Sequence, residues 1–358
     1  MDYLVFTLNA ILPIIIPVMV GFFLKKINLL SQEFWGNLNK LVFKLMIPVL
    51  LFSNLYLADL STINWAFVGF GAGSILVLFG IGLLVVMAFK DRKQKGVILQ
   101  ATFRSNYAII GIPLAVLLGG DKAQASAAVM AAVSVPIFNV LAVIALSIYD
   151  HEEGQKIDVK DILKKIVTNP LIIGVVSGLL VCLLGLGIDK LTGIEGTLKS
   201  IFTDYIVRYD VIDGVAVKVS DNSLYHLADL NFVGTAISYI GRCATPVALL
   251  VLGARFEFSA VKKLWRQLTV TVSFRLIITP VVFLTIAYFL GKQLGWGTTE
   301  YAILVALFAT PIAVSSAPMA AQMGQDEELA GQIVVWTTAL SAFTLFLIIF
   351  TLRAIGML

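Results

Sequence analysis

Apolar residues occur along this chain in blocks of about 20, separated by short polar or basic stretches. That is the spacing of helices crossing a hydrocarbon core about 30 Å thick. The blocks fall near residues 5–24, 38–57, 65–89, 97–118 and 123–148, and again near 168–187, 231–253, 267–290, 300–322 and 329–352. Ten transmembrane helices are expected, five on each side of a connection at 149–167. In the long connection 188–230, Ile206–Val211 and Val215–Val219 flank Asp213-Gly214, a turn pair that suits a small external hairpin. A packing flap or disordered insert is the ordinary reading of such a segment, ahead of any part in ligand capture.

The two halves carry related sequence. At an offset of 205, residues 97–121 align on 302–326, and Ile98, Leu99, Ala101, Phe103, Ala108, Pro113, Ala115, Gly119 and Asp121 each meet an identical residue. Nine identities in 25 positions compare with roughly two or three expected from the apolar bias alone. A second pairing joins Lys44-x3-Pro48-Val49 with Arg242-x3-Pro246-Val247. Because each half has an odd number of spans, the two copies cross the membrane in opposite senses, as inverted repeats.

Composition agrees with a membrane unit. Of 358 residues, 59% are hydrophobic and 13% charged, against about 25% charged in a soluble domain. Cys182 and Cys243 lie in apolar blocks and are expected as buried small residues, while His151 and His226 lie in polar stretches. Neither set has the spacing of a metal site, so no metal, cofactor or histidine proton relay is expected. The first apolar block has no basic region before it, so it is expected to stay as a helix. Lys and Arg accumulate in cytoplasmic loops; the odd-numbered connections hold sixteen, from Lys25 to Arg266, and the opposite side seven. Both termini are therefore expected outside, in a multi-pass cell-membrane protein partnered by the lipid bilayer and not by nucleic acid.

Spans four and nine are interrupted at corresponding positions by small, polar and proline residues: Arg104-Ser-Asn-Tyr-Ala-Ile-Ile-Gly-Ile-Pro113 and Ala309-Thr-Pro-Ile-Ala-Val-Ser-Ser-Ala-Pro318. Proline removes a backbone donor and crowds the preceding turn, so each helix is expected to open near its middle, around Gly111, Pro113, Pro311 and Pro318. Kinks needed only for packing have no reason to recur at matched positions. In hydrocarbon an open helix persists only where protein, water or substrate completes its hydrogen bonds. The deep ionisable residues, Lys44, Arg104, Arg242 and Arg275, are all cationic, with no deep carboxylate to pair with them. A buried arginine costs about 3 kcal/mol or more and normally faces a cavity or a counter-charge. An anion held by Arg104, Ser105, Asn106, Thr310, Ser315 and Ser316 answers the imbalance. For Lys44 and Arg275 the alternative is snorkelling to the headgroups, and for Arg242 it is packing between the repeats.

Three stretches resemble the auxin efflux carrier family: Asn106-x4-Gly111-Ile112-Pro113-Leu114, then Thr245-Pro246-Val247-Ala248-Leu249-x3-Gly253-Ala254, and Ala317-Pro318-Met319-Ala320 with Gly324-x-Asp326. That family includes plant PIN-formed auxin exporters and bacterial carriers described for malate and malonate. The resemblance implies a bile-acid-symporter-like fold in which broken helices four and nine cross. It implies scaffold helices in 1–60, 151–187 (after a cytoplasmic loop) and 231–258, and a mobile transport domain in 61–150 and 259–358. It further implies a homodimer, elevator-type exchange, and Asn106 as the crossover residue that helps bind a carboxylate, with Pro113 and Pro318 as crossing prolines. The insert 188–230 is longer than usual for the family, and the loop 149–167 is far shorter than that of the long plant members. The expected function is transport of a small mono- or dicarboxylate or auxin-like acid, with H+, Na+ or no coupling ion all open. Sodium-coupled anion symport is the alternative, ahead of an anion channel. An intramembrane enzyme is disfavoured because no paired carboxylates or nucleophile with a base lie deep in the spans.

Overall fold

The computed structural model describes residues 2–56, 64–150, 159–192, 209–212, 215–218 and 231–358. Within them the apolar blocks are helices, because hydrocarbon offers no water to backbone groups and a helix pairs them within one segment. In chain order these are α1 (Asp2–Lys26), α2 (Gln32–Tyr56), α3 (Trp65–Val86), α4 (Arg92–Phe103), α5 (Tyr107–Gly119), α6 (Asp121–Ile148), α7 (Val159–Thr168) and α8 (Pro170–Thr192). After them come α9 (Asn231–Arg255), α10 (Ser259–Leu294), α11 (Thr298–Ala309), α12 (Ser316–Gln322) and α13 (Glu327–Ala354). By length and apolar composition, seven helices among the described residues can cross a membrane: α2, α3, α9, α10, α13 and most of α6 and α8. The chain is a multi-span helical membrane protein.

Two spans start earlier than their apolar blocks. α2 begins at Gln32 because the Ser31 hydroxyl accepts from the Phe34 N–H at 3.1 Å, an N-cap that starts the helix in polar sequence. α10 likewise begins well before residue 267, in a basic amphipathic stretch. Between α8 and α9, β1 (Tyr209–Ile212) and β2 (Val215–Lys218) pair antiparallel with Ile212 opposite Val215. Asp213-Gly214, the rest of 193–230, and both histidines lie outside the described residues. Cys182 is buried as expected, but Cys243 is exposed, on the outer side of α9.

Helices α1, α2, α8 and α9 form one packed group through close backbone approach. A Cβ on Gly21 of α1 would collide with the Leu250 carbonyl of α9, and one on Gly253 of α9 with the Val18 carbonyl of α1. Gly174 and Gly178 of α8 stand in the same relation to Pro48 and Phe52 of α2. Lipid is as apolar as leucine, so membrane helices associate through such intimate packing rather than through a hydrophobic drive. A second group is built around α4 and α11, where every residue from Val97 to Phe103 and from Tyr301 to Ala309 is buried. A helix covered on all sides needs no polar face, and α3, α5, α6, α10 and α13 provide the cover. Phe283 stacks on Phe308 at 5.2 Å within it.

Three prolines are preceded by a π-turn: Val42–Met46 before Pro48, Tyr107–Gly111 before Pro113, and Phe274–Ile278 before Pro280. In each, the residue just ahead of the proline donates its N–H five positions back, Ile47 to Val42, Ile112 to Tyr107 and Thr279 to Phe274. The wider turn relieves the clash between the proline ring and the carbonyl four residues earlier, so the helix continues.

The polar connections meet at one end of the bundle. Gln94 Nε2 donates to Asp326 Oδ2 at 3.0 Å and Gln267 Nε2 to Gln94 Oε1 at 2.7 Å. Lys25 pairs with Glu257 at 3.1 Å, and Arg255 with Glu327.

Candidate functional site

α4 ends at Phe103 and α11 at Ala309. The next residue of each, Arg104 (φ −79°, ψ 106°) and Thr310 (φ −73°, ψ 153°), turns into extended backbone. Pro311 helps enforce this, since the residue before a proline is pushed out of the helical region. The two links then cross antiparallel. Ser105 bridges Ile312, the Asn106 N–H donates to the Pro311 carbonyl at 2.8 Å, and the Ser105 and Thr310 hydroxyls lie 2.6 Å apart. Ser105 and Thr310 are separated by 205 residues, the offset of the sequence repeat. Each link therefore meets its own counterpart.

Both helices open as expected, but two of the prolines are not where they open. Pro113 lies within α5, tolerated by its π-turn and exposed at the surface, and Pro318 is the third residue of α12. Near the start of a helix the missing N–H has no intrahelical partner to lose. Pro311 sits in a link. Gly111 belongs to the packing around the crossing: a Cβ there would stand 2.8 Å from the Tyr107 ring and 3.1 Å from the Ala306 carbonyl of α11.

Against the crossing, facing α2 and α9, is a cavity of about 50 Å³, room for roughly three to five water molecules. Arg104, Ser105, Asn106, Asn139 and Ser315 provide its polar side on the crossing, with Asn54 of α2 and Thr245 of α9 opposite. Arg104 is buried, and its partners are all neutral: Nη2 donates to Asn139 Oδ1 and Ser315 Oγ, each at 2.9 Å, and Nη1 to Met319 Sδ at 3.0 Å. Asn139 is itself oriented by donating from Nδ2 to the Val135 carbonyl at 2.9 Å. Asn106 caps α5 with its backbone carbonyl, which accepts from Ile110 and Gly111 at 3.0 and 3.2 Å. Its side-chain Nδ2 is buried without a partner. Such an orphan costs about 1–3 kcal/mol unless something accepts from it. The site thus presents a guanidinium and an idle amide donor with no carboxylate, a set suited to an acceptor-rich anion. Among the described residues no group of three His, Cys, Asp or Glu could hold a metal.

The other candidates are placed differently. Thr310 lies behind the cavity, fully buried and bonded to Ser105, and Ser316 is buried off the lining with its hydroxyl unpartnered. Lys44 and Arg242 are exposed on α2 and α9 and do not line the cavity, although Ile47, Ala244, Thr245 and Ala248 beside them do. Arg275 does not snorkel: it has no exposed surface, and its Nε and Nη2 donate to the Thr310 and Leu307 carbonyls at 2.9 and 3.0 Å. Asn139 and Met319 were not foreseen as partners of Arg104. A lone asparagine inside the apolar run of α6 was the available signal, since an amide in hydrocarbon needs a partner.

Residues 6–349 match the family model described as membrane transport protein. A protein of Methanothermobacter thermautotrophicus described as an uncharacterized transporter is 22% identical over 350 residues, covering 94% of this chain and 95% of that one.

Proposed function

The chain belongs to the membrane transport protein family, a family of transporters and not of enzymes, and from that premise we propose that it is a secondary carrier of a small organic anion, a mono- or dicarboxylate. The observation that carries the reading is the idle Asn106 Nδ2 in a cavity that also holds the Arg104 guanidinium and no carboxylate. A carboxylate oxygen there accepts from Asn106 and supplies the counter-charge that the neutral partners of Arg104 lack. A charge-assisted bond of this kind contributes about 1.5–3 kcal/mol.

In this reading the ten spans are α1, α2, α3, the α4–α5 pair, α6, α8, α9, α10, the α11–α12 pair and α13, as two inverted copies whose fourth members cross. The glycine contacts of α1 with α9 and of α8 with α2 support it, because exchanging the copies turns one interface into the other. The group α1, α2, α8 and α9 serves as a scaffold through which a homodimer forms, and the group around α4 and α11 moves against it as an elevator. The cavity lies between the two groups, where such a motion alternates its access. At the polar end, taken as cytoplasmic with both termini outside, a recess of about 410 Å³ lined by Arg255, Glu257, Glu327 and Gln332 reaches Ala248, which also lines the cavity.

Purified protein in liposomes, screened with radiolabelled malate, malonate, other dicarboxylates and indole acids, is expected to show saturable uptake and counterflow. Arg104→Ala and Asn106→Ala each remove most of it. Flux without counterflow, or uptake indifferent to both substitutions, would overturn the proposal.

A further inference from the structure

Helix α11 ends on a backbone problem that Arg275 solves. Pro311 has no N–H, so the Leu307 carbonyl four residues earlier loses the donor a continuing helix would give it. The Thr310 carbonyl is freed in the same way, because the chain beyond it is extended. Two carbonyl oxygens at the C-terminal, partly negative end of a helix, inside a membrane, make the kind of group on which carriers seat a coupling cation. Here Arg275 reaches them from α10, donating from Nε to Thr310 and from Nη2 to Leu307. It does so from the second position of the Phe274–Ile278 π-turn and is entirely enclosed, with Nη1 left over.

We infer that Arg275 is a tethered cation at the crossing, holding the carbonyls a transported Na+ would need, so that anion movement does not draw on a Na+ gradient through this position. The inference rests on the carrier reading above and removes one of its coupling modes, Na+ symport through these carbonyls: the charge that such a symporter must load and release in each cycle is built into α10. Arg275 is a positioning residue, since it lines no part of the cavity and acts through Thr310, whose hydroxyl holds Ser105 beside Asn106.

The test compares wild type, Arg275→Lys, Arg275→Gln and Arg275→Ala, purified in detergent, for thermal unfolding in sodium chloride, choline chloride, and choline chloride with millimolar guanidinium. Wild type and Arg275→Lys are expected to unfold at the same temperature in all three. Arg275→Gln and Arg275→Ala are expected to unfold earlier and to recover with guanidinium or Na+ in a concentration-dependent way, as a ligand that binds only the folded state requires. A purely structural arginine would give variants indifferent to either ion. Stabilisation of wild type by Na+ over choline would overturn the inference even if neither neutral variant folds, as would neutral variants blind to both cations. Malate and malonate uptake by wild-type proteoliposomes with and without a Na+ gradient is measured in parallel. Equal uptake supports the inference, and stimulation by Na+ refutes it. Absence of uptake under every condition counts against the carrier proposal, while the unfolding series still decides the role of Arg275.

Discussion

Truncating Ser105 to Ala and Thr310 to Val probes the crossing from both sides, and the two changes are not equivalent. The Thr310 hydroxyl has one hydrogen, and its 2.8 Å bond to the Ala306 carbonyl uses it. At the 2.6 Å contact, therefore, Ser105 donates and Thr310 accepts. Ser105→Ala removes a donor and leaves an oxygen whose own hydrogen is still bonded, so the loss is that of one neutral hydrogen bond, about 0.5–1.5 kcal/mol. Thr310→Val keeps the side-chain shape but strands the Ser105 hydroxyl in a buried place, at about 1–3 kcal/mol, and also gives up the bond to Ala306. In the double variant the stranded hydroxyl is gone, so the effects fall short of additive by about 0.6 kcal/mol and by no more than about 1.7 kcal/mol, the average and the maximum of such coupling between membrane helices. The assay is unfolding of all four proteins in mixed micelles with increasing dodecyl sulfate. Strict additivity, or Ser105→Ala as damaging as Thr310→Val, would refute both the direction assigned to the bond and the direct meeting of the two links.

Three further outcomes follow from the same geometry. Arg104→Lys is expected to keep a charge but lose the simultaneous bonds to Asn139 and Ser315, raising KM for the transported anion by roughly tenfold, or about 1.4 kcal/mol; unchanged KM in liposome uptake counts against the site. Asn139→Leu leaves one guanidinium donor without its best acceptor and is expected to lower stability by about 1–3 kcal/mol and to weaken uptake, read from unfolding midpoint and initial rate together. Gly253→Leu forces a side chain into the Val18 carbonyl of α1, an overpacking expected to cost about 1–3 kcal/mol or more. It should appear as poor yield and a broadened gel-filtration peak, whereas Gly69→Leu, at an open position on α3, should behave as wild type.

Much of the crossing was legible in the sequence because residues 97–121 and 302–326 resemble each other at a constant offset. The 205-residue spacing that aligned Phe103 with Phe308 also names the pair of hydroxyls that touch. Prolines were harder to read. Near a helix start and in mid-helix the same residue has opposite effects, and nothing local to Pro113 or Pro318 distinguishes a breaker from a residue that a π-turn or a first turn accommodates. The four cations of the apolar blocks were visible in the sequence, but not how they divide. Lys44 and Arg242 are exposed, Arg104 faces the cavity, and Arg275 serves backbone carbonyls left without helical donors because α11 ends before Pro311. That last relation joins α10 to α11 through space, and no periodicity in either segment encodes it.

The π-turns have a consequence for how this chain tolerates change in length. Each residue of a regular helix accounts for about 100° of rotation, so a turn holding one surplus residue re-aims all that comes after it. Deleting a single residue from 276–278 would leave a helix of nearly the same reach, yet turn Phe283 by about 100° relative to Arg275, so that the ring could not keep Phe308 while the guanidinium keeps its carbonyls. A chain shortened by one residue there would thus span the bilayer as before and lose one of the two contacts that tie α10 to α11.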